Sequence, residues 1–380
     1  MGRPSTWRAA PSTRTVGPCS VRVSEASDDP DWDAFLETTT HSPYMQSSCW
    51  GRVRATMGWP ATRLVVWEGG RIVAGVQLLM RPMPIGGHVG RVSWGPVILE
   101  ERPHLAETVI NEMIALAKAK GVRYLAVNPP PSGDPTRDVL VRLGFRPSPY
   151  QLEYTTTISI DLRPNLDEML LKMRRITRRY LRSEDRHALT VRRGSAADLP
   201  TFHRLKDAHA ARLGYHRRSQ EYYSELWRAF APHGHVELFL AEYGGEPVSA
   251  ALVMPFGDTC YGMDQPWSGE HGDLRPNEVL EWHLCRWAKA EGYRYFDLGG
   301  INRPAAEAIL AGNRELARLA GWESFKLGFG GKLTLLPEGY DYVCNPVLRF
   351  AYRSIPRTML PSLSGVVDRA RVRVWGRRET

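Results

Sequence analysis

The chain repeats itself once, and this duplication constrains its fold more than any other feature of the sequence. Residues 117–125 read AKAKGVRYL, and residues 288–296 read AKAEGYRYF. Around each copy the order is the same: a Gly-Gly pair before an apolar run, a helical pattern, the copied segment and then Leu-Gly-Phe. The two Leu-Gly-Phe triplets are residues 143–145 and 327–329. The sequence therefore predicts two related units in tandem.

Length and composition agree with two folded units. A chain of 380 residues is too long for one ordinary hydrophobic core, and an apolar fraction of 43% is enough for a core in each half. The predicted organisation is a disordered tail rich in Arg, Ser, Thr and Pro at residues 1–20, a first domain at 21–152, a second domain at 153–336 and a C-terminal segment at 337–380. We expect the last segment to pack back on the first domain.

Each unit has a mixed α/β pattern. Residues 62–67 and 71–80 are typical of a strand hairpin across Gly69-Gly70, because these glycines allow a positive φ. Residues 105–120 carry apolar side chains at helical spacing, and a buried strand is predicted at 123–127. The second unit repeats this order after residue 235. The fold class is therefore α/β in both halves.

Several classes of protein are disfavoured. The five cysteines include no C-x-x-C pair, so we expect neither a zinc ribbon nor a disulfide framework. The histidines between residues 203 and 216 lack the i,i+4 spacing of a two-histidine site, and no metal is predicted. No stretch of about 18 apolar residues predicts a transmembrane segment, and the first residues lack the apolar core of a secretory signal. We expect a cytoplasmic protein.

A basic segment follows the first strand of the second unit. Residues 172–186 are predicted to form one helix, which places Arg174, Arg178, Arg182 and Arg186 in one i,i+4 row beside Arg175. Like charges at this spacing repel each other, and the net charge of +9 favours a polyanionic partner. This row is either an anion-binding face or an ordinary solvated surface.

Four segments, taken in order, resemble the FemABX family, whose members transfer an amino acid from aminoacyl-tRNA to an amine on a peptide. Residues 46–51 (QSSCWG) resemble the family's Q-S-x-x-W-G segment, and residues 173–180 (MRRITRRY) resemble the basic helix that opens its second domain. Residues 212–223 resemble its R-D-G-F segment with the Arg and Tyr-Tyr that follow. The most specific match is residues 322–331 (WESFKLGFGG), which are similar to F-K-x-G-F-G-G.

The resemblance covers nearly the whole chain and implies two tandem GNAT-like domains, in agreement with the duplication. It implies an enzyme, an aminoacyltransferase that uses aminoacyl-tRNA as its co-substrate and no other cofactor. The implied acceptor is a peptide-type or nucleotide-linked peptide, either a peptidoglycan precursor or a peptide antibiotic intermediate. The donor amino acid and the oligomeric state stay open. The long coiled-coil arm of some members has no counterpart in this sequence.

The resemblance also assigns roles to residues of the second unit. Lys326 would stabilise the oxyanion that forms when an amine attacks an ester carbonyl, and Phe325 would contribute through its backbone and by shaping the site. Arg218 and Tyr222 are four residues apart, so we expect them to share a helix face and to bind the acceptor. Tyr261 is a further acceptor-binding candidate.

The remaining candidates bind the acceptor or the tRNA. Near Trp50, a family lysine that touches the acceptor is replaced by Arg52 or Arg54, which keeps the charge but changes its geometry. The basic segment is the tRNA-binding candidate, through Arg174, Arg175, Arg178 and Arg182.

Two other functions stay open. The duplicated GNAT-like unit alone would suggest an acyl-CoA-dependent N-acyltransferase, although neither unit has a convincing glycine-rich pyrophosphate loop. A non-catalytic RNA-binding or resistance-associated protein is the other alternative. The two units differ where Val141-Arg142 precedes the first Leu-Gly-Phe and Phe325-Lys326 precedes the second. We therefore expect the chemistry in the second unit.

Overall fold

The computed structural model describes residues 14–352 except 17, 41–42, 85, 101, 132–133, 150–152, 183–188, 216–217, 314–318, 347–348 and 351. The chain divides into two compact units. Among the described residues, the first unit holds those up to Glu153 together with those from Pro337 to Tyr352, and the second holds those of Tyr154–Leu336. Each unit is built around one β-sheet.

The first unit combines a mixed sheet with four helices in its described residues. The strands are β1 (Arg14–Val16), β2 (Cys19–Ser24), β3 (Ala61–Glu68), β4 (Arg71–Pro82), β5 (His88–Val92), β6 (Val97–Ile98), β7 (Val122–Val127), β8 (Arg146–Pro147) and, from the end of the chain, β16 (Tyr340–Val343). The sheet order is β1-β2-β3-β4-β5-β7-β16-β8, with β6 beside β4. The helices are α1 (Pro30–Glu37), α2 (Ser48–Thr56), α3 (Leu105–Ala119) and α4 (Asp134–Arg142).

The second unit has the same kind of sheet with more helices around it. The strands are β9 (Thr156–Asp161), β10 (Leu189–Arg193), β11 (Glu237–Tyr243), β12 (Glu246–Phe256), β13 (Thr259–Asp264), β14 (Tyr295–Asp297) and β15 (Lys332–Leu335), in the order β10-β11-β12-β13-β14-β9-β15. The helices are α5 (Leu166–Lys172), α6 (Arg175–Leu181), α7 (Leu199–Leu213), α8 (Gln220–Phe230), α9 (Pro276–Ala290), α10 (Arg303–Leu310) and α11 (Gly321–Gly328).

The two units share one connectivity. A hairpin (β3–β4 or β11–β12) is followed by a third antiparallel strand, a crossover helix (α3 or α9) and a strand that pairs in parallel with the third. Parallel strands need such a crossover, and the repeated segment is the end of that helix with the strand after it. The hairpin turns contain Gly69-Gly70 and Gly244-Gly245, all with positive φ. The predicted duplication and α/β class are confirmed.

In each sheet, the strand next to the parallel pair comes from a distant part of the chain. In the first sheet, β16 lies between β7 and β8 and pairs antiparallel with both. In the second sheet, β9 lies between β14 and β15 in the same way. The prediction that the C-terminal segment packs on the first domain is confirmed for residues 340–343.

Part of the predicted N-terminal tail is ordered into the first sheet. Residues 14–16 and 19–20 lie in strands, since β1 pairs with β2 and β2 pairs with β3. Cys19 and Val21 of β2 are buried in the core. Alternate side chains of this strand therefore face the interior, and β2 is part of the folded sheet. The prediction of disorder was wrong for these residues, and residues 1–13 lie outside the described part of the chain.

A buried polar network supports the first sheet. Arg63 is 1% exposed, and its Nε and Nη1 donate to Asp29 Oδ2 at 3.0 Å and to Gln77 Oε1 at 2.8 Å. The backbone N–H of Gln77 donates to Gln46 Oε1 at 2.7 Å, and Gln46 Nε2 donates to Ser93 O at 2.6 Å. Buried charges persist when they are paired and hydrogen-bonded. The glutamine of the QSSCWG segment thus connects the start of α2 to β4.

Replacing Arg63 by Met should destabilise the first unit, because Asp29 would stay buried without its partner. We expect the free energy of unfolding to fall by about 3–5 kcal/mol, measured by urea denaturation. Arg142→Met is the matched control, since it removes an exposed ion pair with Glu107 at 2.7 Å and should cost less than about 1 kcal/mol. Equal effects of the two changes would contradict a supporting role for the network.

Candidate active site

The second unit contains a cleft of 710 Å³ at the carboxyl ends of its parallel strands. Gly262–Asp264 of β13 and Phe296 and Leu298 at β14 form its floor, and the first turns of α9 and much of α11 form its sides. In open α/β sheets, ligands bind outside the carboxyl ends of the strands. This cleft is the candidate active site.

Lys326 lies in the wall of the cleft on α11. Its Nζ donates to Gly300 O at 3.0 Å and lies 5.3 Å from the centre of the Trp322 ring. Burial lowers the pKa of this ammonium, while the carboxylates of Asp297 and Glu281 act in the opposite direction. A partly desolvated cation among carboxylates in a cleft is typical of a functional site.

Two glycines after β14 let the lysine reach its position. Gly299 has a φ of 72°, and a Cβ there would lie 3.3 Å from Lys326 Nζ. A Cβ on Gly300 would lie 2.6 Å from Thr156 Oγ1 and closer still to the Thr156 carbonyl oxygen. Larger residues would therefore push this loop away from both β9 and the ammonium group.

The glycines of the KLGFGG segment fix the end of α11. A Cβ on Gly328 would lie 2.7 Å from Thr177 Oγ1, and one on Gly330 would lie 2.3 Å from Lys172 O. Gly330 also has a φ of 73°, which favours glycine. At the start of α11, Glu323 accepts hydrogen bonds from the backbone N–H groups of Ala320 at 2.8 Å and Asn302 at 2.9 Å. Both ends of the helix that carries Lys326 are thus held.

Phe325 also lines the cleft. Its ring lies 5.2 Å from that of Phe329 in an edge-to-face arrangement and packs against the core of the unit. The structure therefore places Phe325 and Lys326 together in the cleft. Their catalytic roles stay predictions.

The sequence did not single out Glu281, which is a buried carboxylate in the same cleft. It lies on α9, is 4% exposed, and its Oε1 has no hydrogen-bond partner among the described residues. Burial raises the pKa of Glu281 to about 8, and the charge of Lys326 acts in the opposite direction. The available signal was an acidic residue within the apolar stripe that includes Leu280 and Leu284.

Arg218 and Tyr222 are in contact, although not by the predicted route. Arg218 precedes α8, whose N-cap is Ser219, so the two residues do not share a helix face. The Arg218 guanidinium instead lies 4.9 Å from the centre of the Tyr222 ring, and its Nη1 lies 3.8 Å from Met263 Sδ. Met263 is part of the cleft wall. The pair is therefore next to the cleft.

Asp264, the residue after Met263, forms hydrogen bonds to two helices of the unit. It accepts hydrogen bonds from Lys206 Nζ at 2.7 Å and from the Tyr223 hydroxyl. Lys206 Nζ also contacts the Tyr215 hydroxyl at 3.2 Å. These bonds hold the end of β13 against α7 and α8.

The acceptor-binding candidates on other elements are less accessible. Tyr261 is buried on β13, and this burial raises the pKa of its phenol well above the ordinary value. In the first unit, Arg54 is 4% exposed and lies about 6 Å from the rings of Trp50 and Trp59. Arg52 is half-buried and pairs with Asp28 at 3.6 Å. Burial of Arg54 and Tyr261 favours packing roles for them.

The basic segment is two short helices instead of the predicted single one. α5 ends at Lys172 and α6 begins at Arg175, and Met173 and Arg174 between them are extended. The break follows from packing, because Met173 is buried and Arg174 N–H donates to Gly328 O at 2.9 Å. The predicted i,i+4 row through Arg174 was therefore wrong, and Arg186 lies outside the described residues.

The individual arginines have different surroundings. Arg174 Nη1 donates to Ser324 Oγ of α11 at 2.9 Å, and Arg178 Nη1 donates to Leu171 O at 3.1 Å. Arg175 and Arg182 are exposed on α6 and just after it. The segment thus contacts the helix that carries Lys326, and its role in tRNA binding stays a prediction.

The described residues contain neither a membrane span nor a metal cluster. No helix in this part of the chain is long and apolar enough to cross a membrane. Within the same residues, no group of three or more His, Cys, Asp or Glu side chains could hold a metal ion.

Sequence comparison matches each unit to a different family. The FemAB family matches residues 28–134, and the acetyltransferase (GNAT) domain matches residues 172–307. The Lipid II:glycine glycyltransferase of Staphylococcus aureus (strain MRSA252) is 24% identical over 393 aligned positions, which cover 83% of this chain and 91% of the relative.

Structure comparison matches the whole fold. FemX has a TM-score of 0.75 at 20% identity, covering 85% of this chain and 97% of FemX. A tandem GNAT protein from the clavulanic acid biosynthesis pathway has a TM-score of 0.52 at 12% identity, covering 86% and 99%. The fold is therefore a tandem pair of GNAT domains. The FemAB match, the glycyltransferase and FemX agree with the motifs along the sequence that resemble the FemABX family.

Proposed function

We propose that this protein transfers an amino acid from aminoacyl-tRNA to an amine on the peptide of a peptidoglycan precursor. The name of the S. aureus relative, Lipid II:glycine glycyltransferase, supports a transferase with this class of acceptor and makes glycine the first donor to test. The observation that carries the proposal is the half-buried Lys326 in the wall of a cleft, with its ammonium bonded to Gly300 O. We expect the reaction in the cytoplasm, where aminoacyl-tRNA is made.

The proposed chemistry is aminolysis of an ester. The acceptor amine attacks the carbonyl carbon, a C–N bond forms, the C–O bond to the tRNA ribose breaks, and the ribose oxygen takes up a proton lost by the amine. Negative charge develops on the carbonyl oxygen during the attack. An ammonium has three N–H donors, and Lys326 directs one to Gly300 O. The others can meet this oxygen without rearrangement, as a preorganised oxyanion site requires.

The acceptor is proposed to lie toward Arg218 and Tyr222. A guanidinium can bind a diphosphate or carboxylate. Met263 connects this pair to the cleft wall. Tyr261, Trp50, Arg52 and Arg54 stay weaker candidates, because three of the four are buried.

An acyl-CoA-dependent N-acyltransferase is the competing function, and the GNAT domain match favours it. Coenzyme A carries a diphosphate, and the backbone N–H groups at the start of a helix attract such anions. Here α9 begins with Pro276, which has no N–H, and carries Glu278 in its first turn. Both features weaken that site for an anion. An RNA-binding protein without catalysis would leave the position of Lys326 in the cleft wall unexplained.

Lys326→Ala should lower turnover by about 10² or more, as the loss of other oxyanion donors does, with tRNA affinity little changed. Turnover would be measured by product mass with lipid II as acceptor. Arg142→Ala is the matched control, because Arg142 occupies the same place before Leu-Gly-Phe in the first unit but is exposed. Full activity of a folded Lys326→Ala protein would rule out the proposed role.

The donor can be identified directly. Total tRNA charged with the standard amino acids, or acetyl-CoA, is incubated with the protein and with lipid II or a soluble nucleotide-linked peptide. We expect a product heavier by one amino-acid residue, lost after RNase treatment. A product that survives RNase and requires acetyl-CoA would contradict the proposal and support the competing N-acyltransferase.

Changing Arg174, Arg175 and Arg182 to Gln should weaken tRNA binding and flatten its salt dependence. The slope of log K against log salt should fall by about 0.7–0.9 for each phosphate that the protein no longer neutralises. Filter binding at a series of salt concentrations measures this slope, with Arg142→Gln as the control. An unchanged slope would assign these arginines to ordinary surface.

A further inference from the structure

The cleft contains one acidic group that the proposed reaction has not yet used. Glu281 is almost completely buried, yet its Oε1 has no hydrogen-bond partner among the described residues. Buried polar groups are nearly always hydrogen-bonded, and an unpaired one is costly. A carboxylate kept in this state in the wall of a cleft indicates that its partner is a ligand.

Other polar groups on the same walls are already paired. One turn nearer the start of α9, Asn277 Oδ1 accepts a hydrogen bond from Ser249 Oγ at 2.6 Å. Next to it, Glu278 Oε1 lies 3.7 Å from Arg275 Nη1 in an ion pair. Asp264 accepts from Lys206 and from a tyrosine hydroxyl. Glu281 differs from these groups because its Oε1 has no hydrogen-bond partner among the described residues.

Lys326 does not supply the missing contact. Its charge favours ionisation of Glu281, but its Nζ hydrogen bond goes to Gly300 O at 3.0 Å. Deeper along α9 the wall becomes apolar at Leu284, next to Phe296 and Leu298. The Glu281 carboxylate thus lies between Lys326 and the apolar end of the cleft. A small group with a positive charge at this place would pair with the carboxylate.

We propose that Glu281 binds the α-ammonium group of the aminoacyl donor, so that the cleft selects donors with a free α-amine. This inference rests on the proposed aminoacyl transfer. In an aminoacyl ester the nitrogen is two bonds of about 1.5 Å from the carbonyl carbon. A carbonyl oxygen at Lys326 therefore keeps the ammonium within the same cleft as Glu281.

This pairing explains how a GNAT-type cleft can discriminate between donors. An α-amino group has an ordinary pKa of about 7.7–8.0 and is largely charged at pH 7. With a pKa of about 8, Glu281 is largely protonated at pH 7 in the free protein, so binding would release its proton to solvent and pair the carboxylate with the ammonium. An acetyl group would leave Glu281 unpaired. Sites that pair a buried polar group with the substrate reject analogues that lack the partner.

The first test compares two forms of one donor on the unaltered protein. Total tRNA charged with the standard amino acids is used as prepared or after N-acetylation, which keeps the ester and removes the ammonium charge. With lipid II as acceptor, we expect kcat/KM to be at least about tenfold higher for the free-amine form. A ratio near one would overturn the assignment of Glu281 even though transfer itself occurs. Use of neither form would overturn the proposed function as well.

Glu281→Gln keeps the shape of the side chain and removes its charge. We expect kcat/KM with the free-amine donor to fall by about tenfold or more, with that for the N-acetylated donor nearly unchanged, so that the ratio moves toward one. Glu307→Gln on α10, which removes the ion pair of an exposed carboxylate with Arg303 outside the cleft lining, is the matched control and should leave the ratio as in the unaltered protein. An equal loss with both donors in Glu281→Gln would show a structural role and overturn the proposal.

Stability against pH provides a readout without catalysis. The groups that face Glu281 are Lys326 of α11, Cys260 of β13 and Cys285 of α9. Because the pKa of Glu281 is raised to about 8 in the folded protein, stability decreases as pH rises from the unfolded pKa of about 4.3 toward 8. As the pH is raised from 5 to 8, the urea concentration at the unfolding midpoint should therefore increase for Glu281→Gln relative to the unaltered protein. A constant difference would mean that the carboxylate already has a partner before any donor binds, and would overturn the proposal.

Discussion

The contact between the Gly330 backbone and the carbonyl of Lys172 determines much of the second unit's site. A Cβ at residue 330 would lie 2.3 Å from that oxygen, so no residue with a side chain fits without moving one of the two segments. The same packing ends α5, leaves two residues extended and starts α6. It also holds the chain at Gly330, just beyond the end of α11 and four residues after Lys326. The place of the cation thus depends on backbone packing as well as on the hydrogen bond of its own Nζ.

The duplication was predictable because the copied segment spans the end of a helix and the start of a strand, and both leave a strong local pattern. The break at Met173–Arg174 was not. Nothing in MRRITRRY disfavours a helix locally, since its residues include good helix formers and no Gly or Pro. The break results from tertiary contacts with Gly328 and Gly330, which lie about 155 residues further along the chain.

The residues of the candidate site also divide into those that the sequence identified and those that it did not. Lys326 and Phe325 were identified because their motif is specific, and the structure places them together in the cleft. Glu281 has no motif around it, and a single acidic residue in an apolar helical stripe does not reveal whether it has a partner. Arg54 shows the opposite case, because its charge suggested a ligand but its guanidinium lies near two tryptophan rings inside the first unit. Burial and pairing, which decide these roles, are properties of the folded chain.

The two units use polar groups in their interiors differently. In the first, the buried Arg63 bonds to both Asp29 and Gln77. In the second, Glu281 Oε1 has no partner among the described residues, while Lys326 lies in an open cleft. The buried arginine of the first unit thus has its partners within the fold, whereas the proposed ligand would complete Glu281 in the second.

The position of β16 in the first sheet has a consequence for synthesis on the ribosome. Chains emerge from the N-terminus, and domains generally fold in that order. Here β7 lacks its neighbour until Tyr340–Val343 have been made, by which time all of Tyr154–Leu336 is available to fold. Through that interval the edge of β7 is exposed, and exposed edges pair with other chains. The unit that is translated first must therefore be completed last.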